Sequence, residues 1–379
     1  MDAILSYVQS QQTALISTLK EMVECESPSD DVGAVNRFVD LLAAQASDLG
    51  KIKTFPGGRF ARHLQIDFAL PGRKKSGQVL VLGHSDTVWP LGTLKNMPFR
   101  QADGRLWGPG VLDMKAGLAF FLYAMRALRE LDIPVKRKVV LQVNSDEETG
   151  SESSRPLTEK EARRSLAVLV LEPGTGLAGK LKTARKGVGR YEVTVRGIAA
   201  HAGVDFQAGA SAIVELARQI ERIASFTNLK KGITVNPGVV YGGTRSNVIA
   251  ERAGAEIDVR VAKLRDFIAL DKKFRSLRPT DRRCAIQVQG GLNRPPMEPN
   301  PGSRKLFAIA KRLAAELGVK LEQSSTGGGS DGNFTAALGV PTLDGLGAVG
   351  EGAHAWNECI LIERMADRTA LLAKLVAEL

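Results

Sequence analysis

Short apolar segments that alternate with helix-like segments constrain the fold of this chain more than any other feature. Strand-like runs occur at 63–70, 79–83, 139–143 and 166–171, and a helical pattern of apolar residues covers 117–130. Short, nearly continuous apolar runs are typical of strands buried on both faces, and intervening helices supply the crossovers that parallel strands need. This part of the chain therefore predicts an α/β fold with a mostly parallel sheet and helices on both faces.

A different order of elements begins near residue 185. The segments follow as strand, helix, strand, strand, helix and strand, around 191–195, 210–225, 233–240, 253–261, 264–277 and 284–288. This is the split βαβ pattern of a small α+β domain, as in ferredoxin-like folds. After Pro295-Pro296 the chain returns to helix, strand and helix. We therefore predict one discontinuous catalytic domain, at 1–182 and 294–379, interrupted by an inserted domain at 183–293.

Composition limits the classes of function. With 44% hydrophobic and 25% charged residues the chain is expected to be globular, and no apolar run is long enough for a membrane span. Residues 1–4 lack the pattern of a signal peptide, and the distant cysteines Cys25, Cys284 and Cys359 predict no disulfide framework, so we expect a cytoplasmic protein. The net charge of +11 is scattered in small groups, which favours anionic small substrates over nucleic acid or a membrane as partners.

Four polar clusters lie at strand ends or before the central helix, where ligands bind in open α/β sheets. They are Gly83-His84-Ser85-Asp86-Thr87-Val88, residues 108–117 around Asp113, Asn144-Ser145-Asp146-Glu147-Glu148-Thr149-Gly150, and Leu171-Glu172-Pro173. Three of them have an ordinary alternative: His84 as a core histidine, Asp113 as a helix N-cap, and Glu147-Glu148 as a solvated acidic loop. An unpaired Glu172 at the end of an apolar strand would be costly.

Taken together, the clusters favour a site for two metal ions. Such a site needs carboxylates and imidazoles from different strand ends, one carboxylate that bridges the ions and one acid left free as a base. The chain offers one such set: His84, Asp113, Glu148, Glu172 and a late histidine, with Glu147 left over. The late histidines are His201, in the inserted domain, and His354, in a Gly-rich loop.

These motifs resemble the di-zinc exopeptidase family that contains aminoacylase, acetylornithine deacetylase, succinyl-diaminopimelate desuccinylase and glutamate carboxypeptidase. The similarity covers most of the chain in the family's order, including Ala200-His201-Ala202-Gly203, Thr326-Gly327-Gly328-Gly329-Ser330-Asp331 and the His354 loop. It is greatest for the bacterial folate-cleaving glutamate carboxypeptidases of the carboxypeptidase G type. Their metal-ligand spacings recur here as 29, 35 and 24 positions between His84, Asp113, Glu148 and Glu172.

The resemblance implies a ligand set for two metal ions. His84 and Glu172 would hold one ion and Glu148 and His354 the other, with Asp113 bridging them and its bond to Met114 in the cis form. Two Zn²⁺ ions suit these nitrogen and oxygen ligands, and Co²⁺ or Mn²⁺ can substitute.

The resemblance also assigns catalytic roles. Asp86 would orient His84, Glu147 would be the general base, and His201 would stabilise the oxyanion from the inserted domain. In related dimers this histidine comes from the neighbouring subunit, so the inserted domain is expected to serve as a lid and dimerisation domain of a homodimer.

Substrate-binding residues are expected in and near the inserted domain. By position in the resembling carboxypeptidases, Asn247, Arg260 and Arg294 are candidates for binding a substrate carboxylate, and an arginine fork suits that task. Gly328 and Gly329 would let backbone amides approach the substrate. The alternatives are a salt-bridged strand residue for Arg260 and a simple flexible turn for the glycines.

Three functions remain open from the sequence. The first is a metal-dependent hydrolase, a zinc carboxypeptidase that cleaves the amide bond before a C-terminal, glutamate-like amino acid. The second is an N-acyl-amino-acid deacylase or dipeptidase with the same metal ligands. The third is a non-catalytic ligand-binding or scaffold protein, which would be expected to lack a ligand or the base, and none is missing.

Overall fold

The computed structural model describes residues 2–379, which form two compact units. The first contains the chain through Ala184 together with Pro299–Thr326 and Ser330–Leu379, and the second contains Arg185–Glu298 and Gly327–Gly329. The helices are α1 Ala3–Ser10, α2 Gln12–Glu24, α3 Val32–Gln45, α4 Ala116–Glu130, α5 Arg155–Ala162, α6 Ala212–Ala224, α7 Leu264–Arg275, α8 Pro301–Glu316, α9 Gly332–Ala337 and α10 Met365–Glu378. The strands are β1 Gly50–Phe55, β2 His63–Phe68, β3 Gln78–His84, β4 Arg100–Ala102, β5 Arg105–Trp107, β6 Lys138–Asn144, β7 Ser165–Val170, β8 Leu181–Arg185, β9 Gly187–Arg196, β10 Thr234–Gly242, β11 Arg252–Val261, β12 Ala285–Arg294, β13 Gln323–Thr326, β14 Thr342–Leu343, β15 Gly350–Glu351 and β16 Cys359–Leu361.

A six-stranded sheet organises the first unit, in the order β1-β2-β6-β3-β7-β14. The neighbours from β6 to β14 are parallel, whereas β2 is antiparallel to both β1 and β6. The predicted α/β fold with a mostly parallel sheet is therefore confirmed, and the antiparallel pairs lie at the edge formed by β1 and β2.

Side chains of the central strands alternate between two cores. Val79 and Val81 of β3 face the larger core, which also contains buried residues of α4 and α10. Leu80 and Leu82 face the other side of the sheet and pack with Ala162 of α5. Because successive strand residues point to opposite faces, an all-apolar strand requires helices on both sides of the sheet.

Helix α4 lies deep in the larger core and approaches the end of β7 closely. A Cβ atom on Gly117 would lie 2.2 Å from the carbonyl oxygen of Leu171, a separation that only glycine avoids. This contact brings the start of α4 against the segment that carries Glu172. The central helix therefore begins at the carboxyl edge of the sheet.

The second unit is a four-stranded antiparallel sheet in the order β10-β11-β9-β12, formed by the sequence β9-α6-β10-β11-α7-β12. Alternate residues of β9 are buried, and Tyr191 stacks on Phe274 of α7 with ring centroids 3.9 Å apart. The predicted ferredoxin-like α+β fold is thus confirmed. Strand β12 runs to Arg294, and Met297 bridges to Arg185, so this unit continues beyond the boundary predicted at residue 293.

A small sheet in the first unit has the order β15-β16-β5-β4. Strands β15 and β16 form a hairpin, and the register of β16 with β5 places Cys359 opposite Trp107. Strand β5 leads directly into the irregular segment 108–115, and β15 leads into the segment 352–358. Within residues 2–379, every helix is too short or too polar to cross a lipid bilayer.

Candidate metal centre

Three parallel strands bring the predicted ligands to one edge of the large sheet. His84 is the last residue of β3 and lies in register with Asn144, the last residue of β6. Strand β7 ends at Val170, two positions before Glu172. The carboxyl ends of parallel strands meet at one edge, so polar residues that are distant in sequence converge there.

The first group of potential ligands is His84, Asp113 and Glu172. Nε2 of His84 lies 3.1 Å from Oδ1 of Asp113 and 3.7 Å from Oε1 of Glu172. Nδ1 of His84 bonds to the backbone carbonyl of Asp86 at 2.8 Å, which leaves Nε2 directed at the two carboxylates. His84 is buried, and each of the three residues can present one ligand atom within 4.8 Å of the others.

The second group is Asp113, Glu148 and His354. Nε2 of His354 lies 3.2 Å from Oδ2 of Asp113 and 3.2 Å from Oε1 of Glu148. Among residues 2–379, that buried Oε1 atom accepts no well-formed hydrogen bond. His354 has a backbone φ of 62°, which is uncommon outside glycine and occurs often at functional sites. Asp113 thus directs one oxygen atom to each group.

The charges of these groups depend strongly on one another. The carboxylates of Asp113 and Glu148 beside the ring raise the pKa of His354 to about 10. Burial opposes the charge of His84, yet Asp113 and other nearby carboxylates raise its pKa well above the usual value. Burial disfavours ionised Asp113, but the two imidazoles lower its pKa. Two imidazole nitrogens facing carboxylate oxygens at these distances fit the donor chemistry of zinc.

Asp86 contributes differently from the expectation that its carboxylate orients His84. Its carbonyl oxygen bonds to the imidazole, while the nearest carboxylate oxygen is 3.7 Å from Nδ1. The carboxylate accepts hydrogen bonds from the hydroxyl of Ser29 and from the backbone N–H groups of Glu147 and Glu148, at 2.9, 3.2 and 3.2 Å. Burial raises its pKa to about 6, against the charge of His84. Asp86 therefore positions the two glutamates as well as the imidazole.

Glu147 belongs to neither ligand group, although it adjoins Glu148 in the loop after β6. The same loop is held by Asp146, which accepts hydrogen bonds from the backbone N–H and hydroxyl of Ser153 at 2.7 and 2.8 Å. The structure therefore separates the two adjacent glutamates, with Glu148 among the potential ligands and Glu147 outside them.

In the second unit, His201 and Asn247 lie on neighbouring segments. His201 forms a bridge with Val248, and the N–H of Ala202 donates to the carbonyl of Asn247 at 3.0 Å. His201 is exposed, and its Nδ1 accepts a hydrogen bond from the N–H of Gly203 at 3.1 Å. Its Nε2 side is therefore the part of the ring that can meet a substrate.

The remaining substrate candidates of the second unit surround the glycine segment 327–329. Arg260 forms a bidentate pair with Asp258, through Nε at 2.9 Å and a terminal nitrogen at 2.9 Å. Arg260 is therefore the salt-bridged strand residue that the sequence analysis gave as the alternative. A Cβ on Gly329 would lie 2.8 Å from Cδ of Arg294, and Gly328 lies beside Arg185. The fork of Arg260 thus pairs with Asp258, and Arg294, whose Nη1 donates to Oδ1 of Asn293 at 3.4 Å, packs against the glycine segment.

Sequence reasoning missed three residues that shape these sites. Buried Arg185 donates to the carbonyls of Gly328 and Gly329 at 3.2 and 2.9 Å, and Ser29 supports Asp86. Glu358 accepts four hydrogen bonds beside Asp113. The position of Glu358, four residues after His354 in a Gly-rich loop, was a usable signal. Arg185 and Ser29 carry no comparable pattern.

The fold and the two ligand groups together define a class of protein, the metal-dependent peptidases and amidohydrolases with an inserted ferredoxin-like domain. The chain belongs to the Peptidase family M20/M25/M40, whose sequence pattern matches residues 80–378. The predicted family is therefore confirmed, and the chain is a hydrolase of this family.

Individual relatives agree with this assignment. The chain is 30% identical over 378 residues to carboxypeptidase G2 of Pseudomonas sp. (strain RS-16), which covers 97% of this chain and 90% of the relative. It is 29% identical over 310 residues to succinyl-diaminopimelate desuccinylase of Pseudomonas syringae pv. syringae, covering 74% and 77%.

Solved structures show the same fold. Aminopeptidase PepT of Bacillus cereus matches with a TM-score of 0.78 and 24% identity, covering 97% of this chain and 98% of that chain. The YxeP protein of Bacillus subtilis, described as a dinuclear metal-binding peptidase, matches with a TM-score of 0.73 and 16% identity, covering 98% of each. At these identities the likeness concerns the fold.

The shared position of Asp113 predicts how metal stoichiometry responds to substitution. We expect wild-type protein to bind two ions, Glu172→Gln and His354→Gln to retain one tightly bound ion each, and Asp113→Ala to lose high affinity for both. Removing a ligand weakens its own ion by loss of a charge-assisted bond, and only Asp113 faces both groups. Elemental analysis after dialysis against limiting zinc measures this. A single-ion loss in Asp113→Ala would contradict the shared role.

Proposed function

We propose that this protein is a two-zinc carboxypeptidase that hydrolyses the amide bond before a C-terminal amino acid. The observation that carries the proposal is the placement of Asp113, whose two oxygens face His84 and His354 at 3.1 and 3.2 Å. One carboxylate between two imidazoles, one from a strand end and one from a loop, is the arrangement that a bridging metal ligand needs.

The residues of the chain divide the chemical work. His84 and Glu172 would hold one ion and Glu148 and His354 the other, and Asp113, which belongs to both groups, would be shared. When bound, a pair of divalent cations supplies Lewis acidity and lowers the pKa of water towards about 7.

Glu147 then takes the proton of the attacking water and delivers it to the leaving nitrogen, the task of a positioned base that is not itself a ligand. His201 donates to the developing oxyanion, and the amide bond breaks to release the C-terminal amino acid. Asp86 assists by holding the backbone of Glu147, which fixes the base relative to the water.

The substrate class follows from the second unit and from the named relatives. Carboxypeptidase G2 supports release of a C-terminal amino acid, glutamate-like in chemistry, and the desuccinylase supports the alternative of an N-acyl-amino-acid deacylase. The alternative of a dipeptidase is supported by the fold match to the dipeptidase Dug1p of Saccharomyces cerevisiae. We assign carboxylate binding to Arg294 and Asn247, with Gly328 and Gly329 beside the substrate, because Asp258 occupies the fork of Arg260.

A substrate panel separates these activities. We expect the zinc-loaded enzyme to cleave N-acylglutamates about 10- to 100-fold faster, in kcat/KM, than the same compounds with the terminal carboxylate converted to an amide, because hydrogen bonds to charge are lost. Arg294→Met should remove most of this preference, and Arg260→Met is the matched control. Faster cleavage of N-acetyl amino acids or dipeptides than of acylglutamates would favour the alternatives.

The two adjacent glutamates provide a second test. Glu147→Gln should retain both ions and lose about 100- to 10,000-fold in kcat, because a general base contributes that much. Glu148→Gln, the same chemical change one residue later, should instead weaken metal binding. Metal analysis and steady-state kinetics on both purified variants measure the difference. Turnover near the wild-type rate in metal-loaded Glu147→Gln would exclude the proposed base.

We also propose that the protein is a homodimer through the second unit. Large apolar side chains are exposed there on one helix and one edge strand: Ile213 and Val214 of α6, and Val239 and Val240 of β10. Such a patch, with an unpaired strand edge beside it, suits a two-fold interface between identical surfaces. His201 would then serve the active site of the partner subunit.

Mixing inactive chains tests this role of His201. A His201→Ala chain and a Glu147→Gln chain should together regain about a quarter of the wild-type activity, because random exchange makes half of the dimers mixed and each mixed dimer has one intact site. Mass spectrometry confirms subunit exchange. If exchanged mixtures stay as inactive as either parent, His201 acts within its own chain.

A further inference from the structure

We propose that Glu358 is a positioning residue for Asp113, and that it sets the affinity of both metal sites by anchoring the Asp113 loop to the hairpin that carries His354. The inference rests on the proposed function only in taking Asp113 as the ligand shared by two ions. It assigns a task to a carboxylate that lies outside both ligand groups.

Glu358 is completely buried, and four N–H groups converge on its carboxylate. Oε1 accepts from the backbone of Leu112 at 2.8 Å and of Asp113 at 3.0 Å. Oε2 accepts from the backbone of Gly110 at 2.9 Å and from the indole Nε1 of Trp89 at 2.7 Å. A carboxylate has about four acceptor positions, so this one is fully used.

The loop that receives this anchor is not a regular helix. Gly110 is left-handed, with a φ of 70°, and Asp113 has a non-helical φ of −115° and ψ of 94°. The N–H groups of Gly110, Leu112 and Asp113 therefore point to one place, whereas those of Val111 and Lys115 donate to the carbonyls of Gly108 and Gly110. A concave array of backbone N–H groups binds an anion, and buried N–H groups left without an acceptor are costly.

The anchor and a metal ligand share one hairpin. The turn between β15 and β16 carries His354, and Glu358 comes directly before β16. Strand β16 pairs with β5, which leads into the Asp113 loop. Glu358 thus connects the two segments that carry His354 and Asp113. Nε2 of His354 lies 3.2 Å from Oδ2 of Asp113.

This geometry predicts an effect on both ions at once. Loosening the backbone at Asp113 displaces an oxygen atom of each ligand group, whereas loss of an ordinary ligand affects mainly its own ion. Trp89 connects a third segment to Glu358 through its indole N–H, and this segment follows the strand that ends at His84. Glu358 therefore joins the segments that carry His84, Asp113 and His354.

The test substitutes Glu358→Gln and measures zinc affinity of the otherwise intact chain by competition with a chromophoric chelator, without substrate. The glutamine amide has the size of the carboxylate, but its NH₂ group would face the N–H donors of the Asp113 loop instead of accepting from them. We therefore expect the zinc affinity of both sites to fall about 10- to 100-fold. The matched control is Glu351→Gln on the same hairpin, whose carboxylate pairs with Arg105 at the surface and should change affinity by less than about twofold.

Trp89→Phe keeps the carboxylate and removes one of its four donors, so it should weaken zinc binding less, about 2- to 10-fold. If Glu358→Gln does not fold, Trp89→Phe becomes the test. Wild-type zinc affinity in Trp89→Phe would then overturn the proposal. A purely structural role would lower the melting temperature of metal-free Glu358→Gln while leaving zinc affinity unchanged at a temperature where it is folded, and this result would overturn the proposal as well. A fall in zinc affinity at only one of the two sites in Glu358→Gln would also overturn the proposal. Because the measurement involves no substrate, the zinc affinities can be interpreted even if the proposed peptidase activity is not found.

Discussion

The structure depends on how negative charge is balanced at one edge of the six-stranded sheet. Carboxylates of Asp113, Glu148 and Glu172 lie beside only two imidazoles, and like charges so close together repel unless a positive charge lies between them. In the metal-free chain, protons on the imidazoles supply that charge, which is why the pKa of His354 rises to about 10. A divalent cation in each group supplies more positive charge at the same place, so the arrangement that is costly without metal favours its binding.

Ligand geometry is maintained by carboxylates that stand outside the ligand groups. Asp86 accepts two backbone N–H groups of the Glu147-Glu148 segment, and Glu358 accepts three of the Asp113 loop. Neither segment is a helix or strand that could satisfy these donors itself. Burying an ionised carboxylate is costly, but each one removes several unsatisfied N–H groups, and the net result is a rigid irregular loop. Such loops can hold a ligand in a direction that no regular element provides.

The sheet, the inserted domain and the ligand-bearing strand ends were predictable because short apolar runs and the polar residues at their ends are visible in sequence. The small sheet was not, since β15 and β16 have only two and three residues and no periodicity. The position of Glu358 near His354 could have drawn attention to it, but its role depends on backbone N–H groups of a distant loop, which leave no residue pattern. The pairing of Arg260 with Asp258 was foreseeable, because residues two apart on a strand share a face.

The potential metal ligands and the candidate substrate-binding residues lie in different units. Every potential ligand lies in the first unit, whereas Asn247, Arg260 and Arg294 all lie in the second. Even Gly327–Gly329, which follow a strand of the first unit, group with the second. Under the proposed function, changes in the second unit would alter which amide is accepted without disturbing the charge balance at the sheet edge. This separation gives a physical reason why one family includes proteins named carboxypeptidase and desuccinylase, since function depends on sites carried by a shared fold.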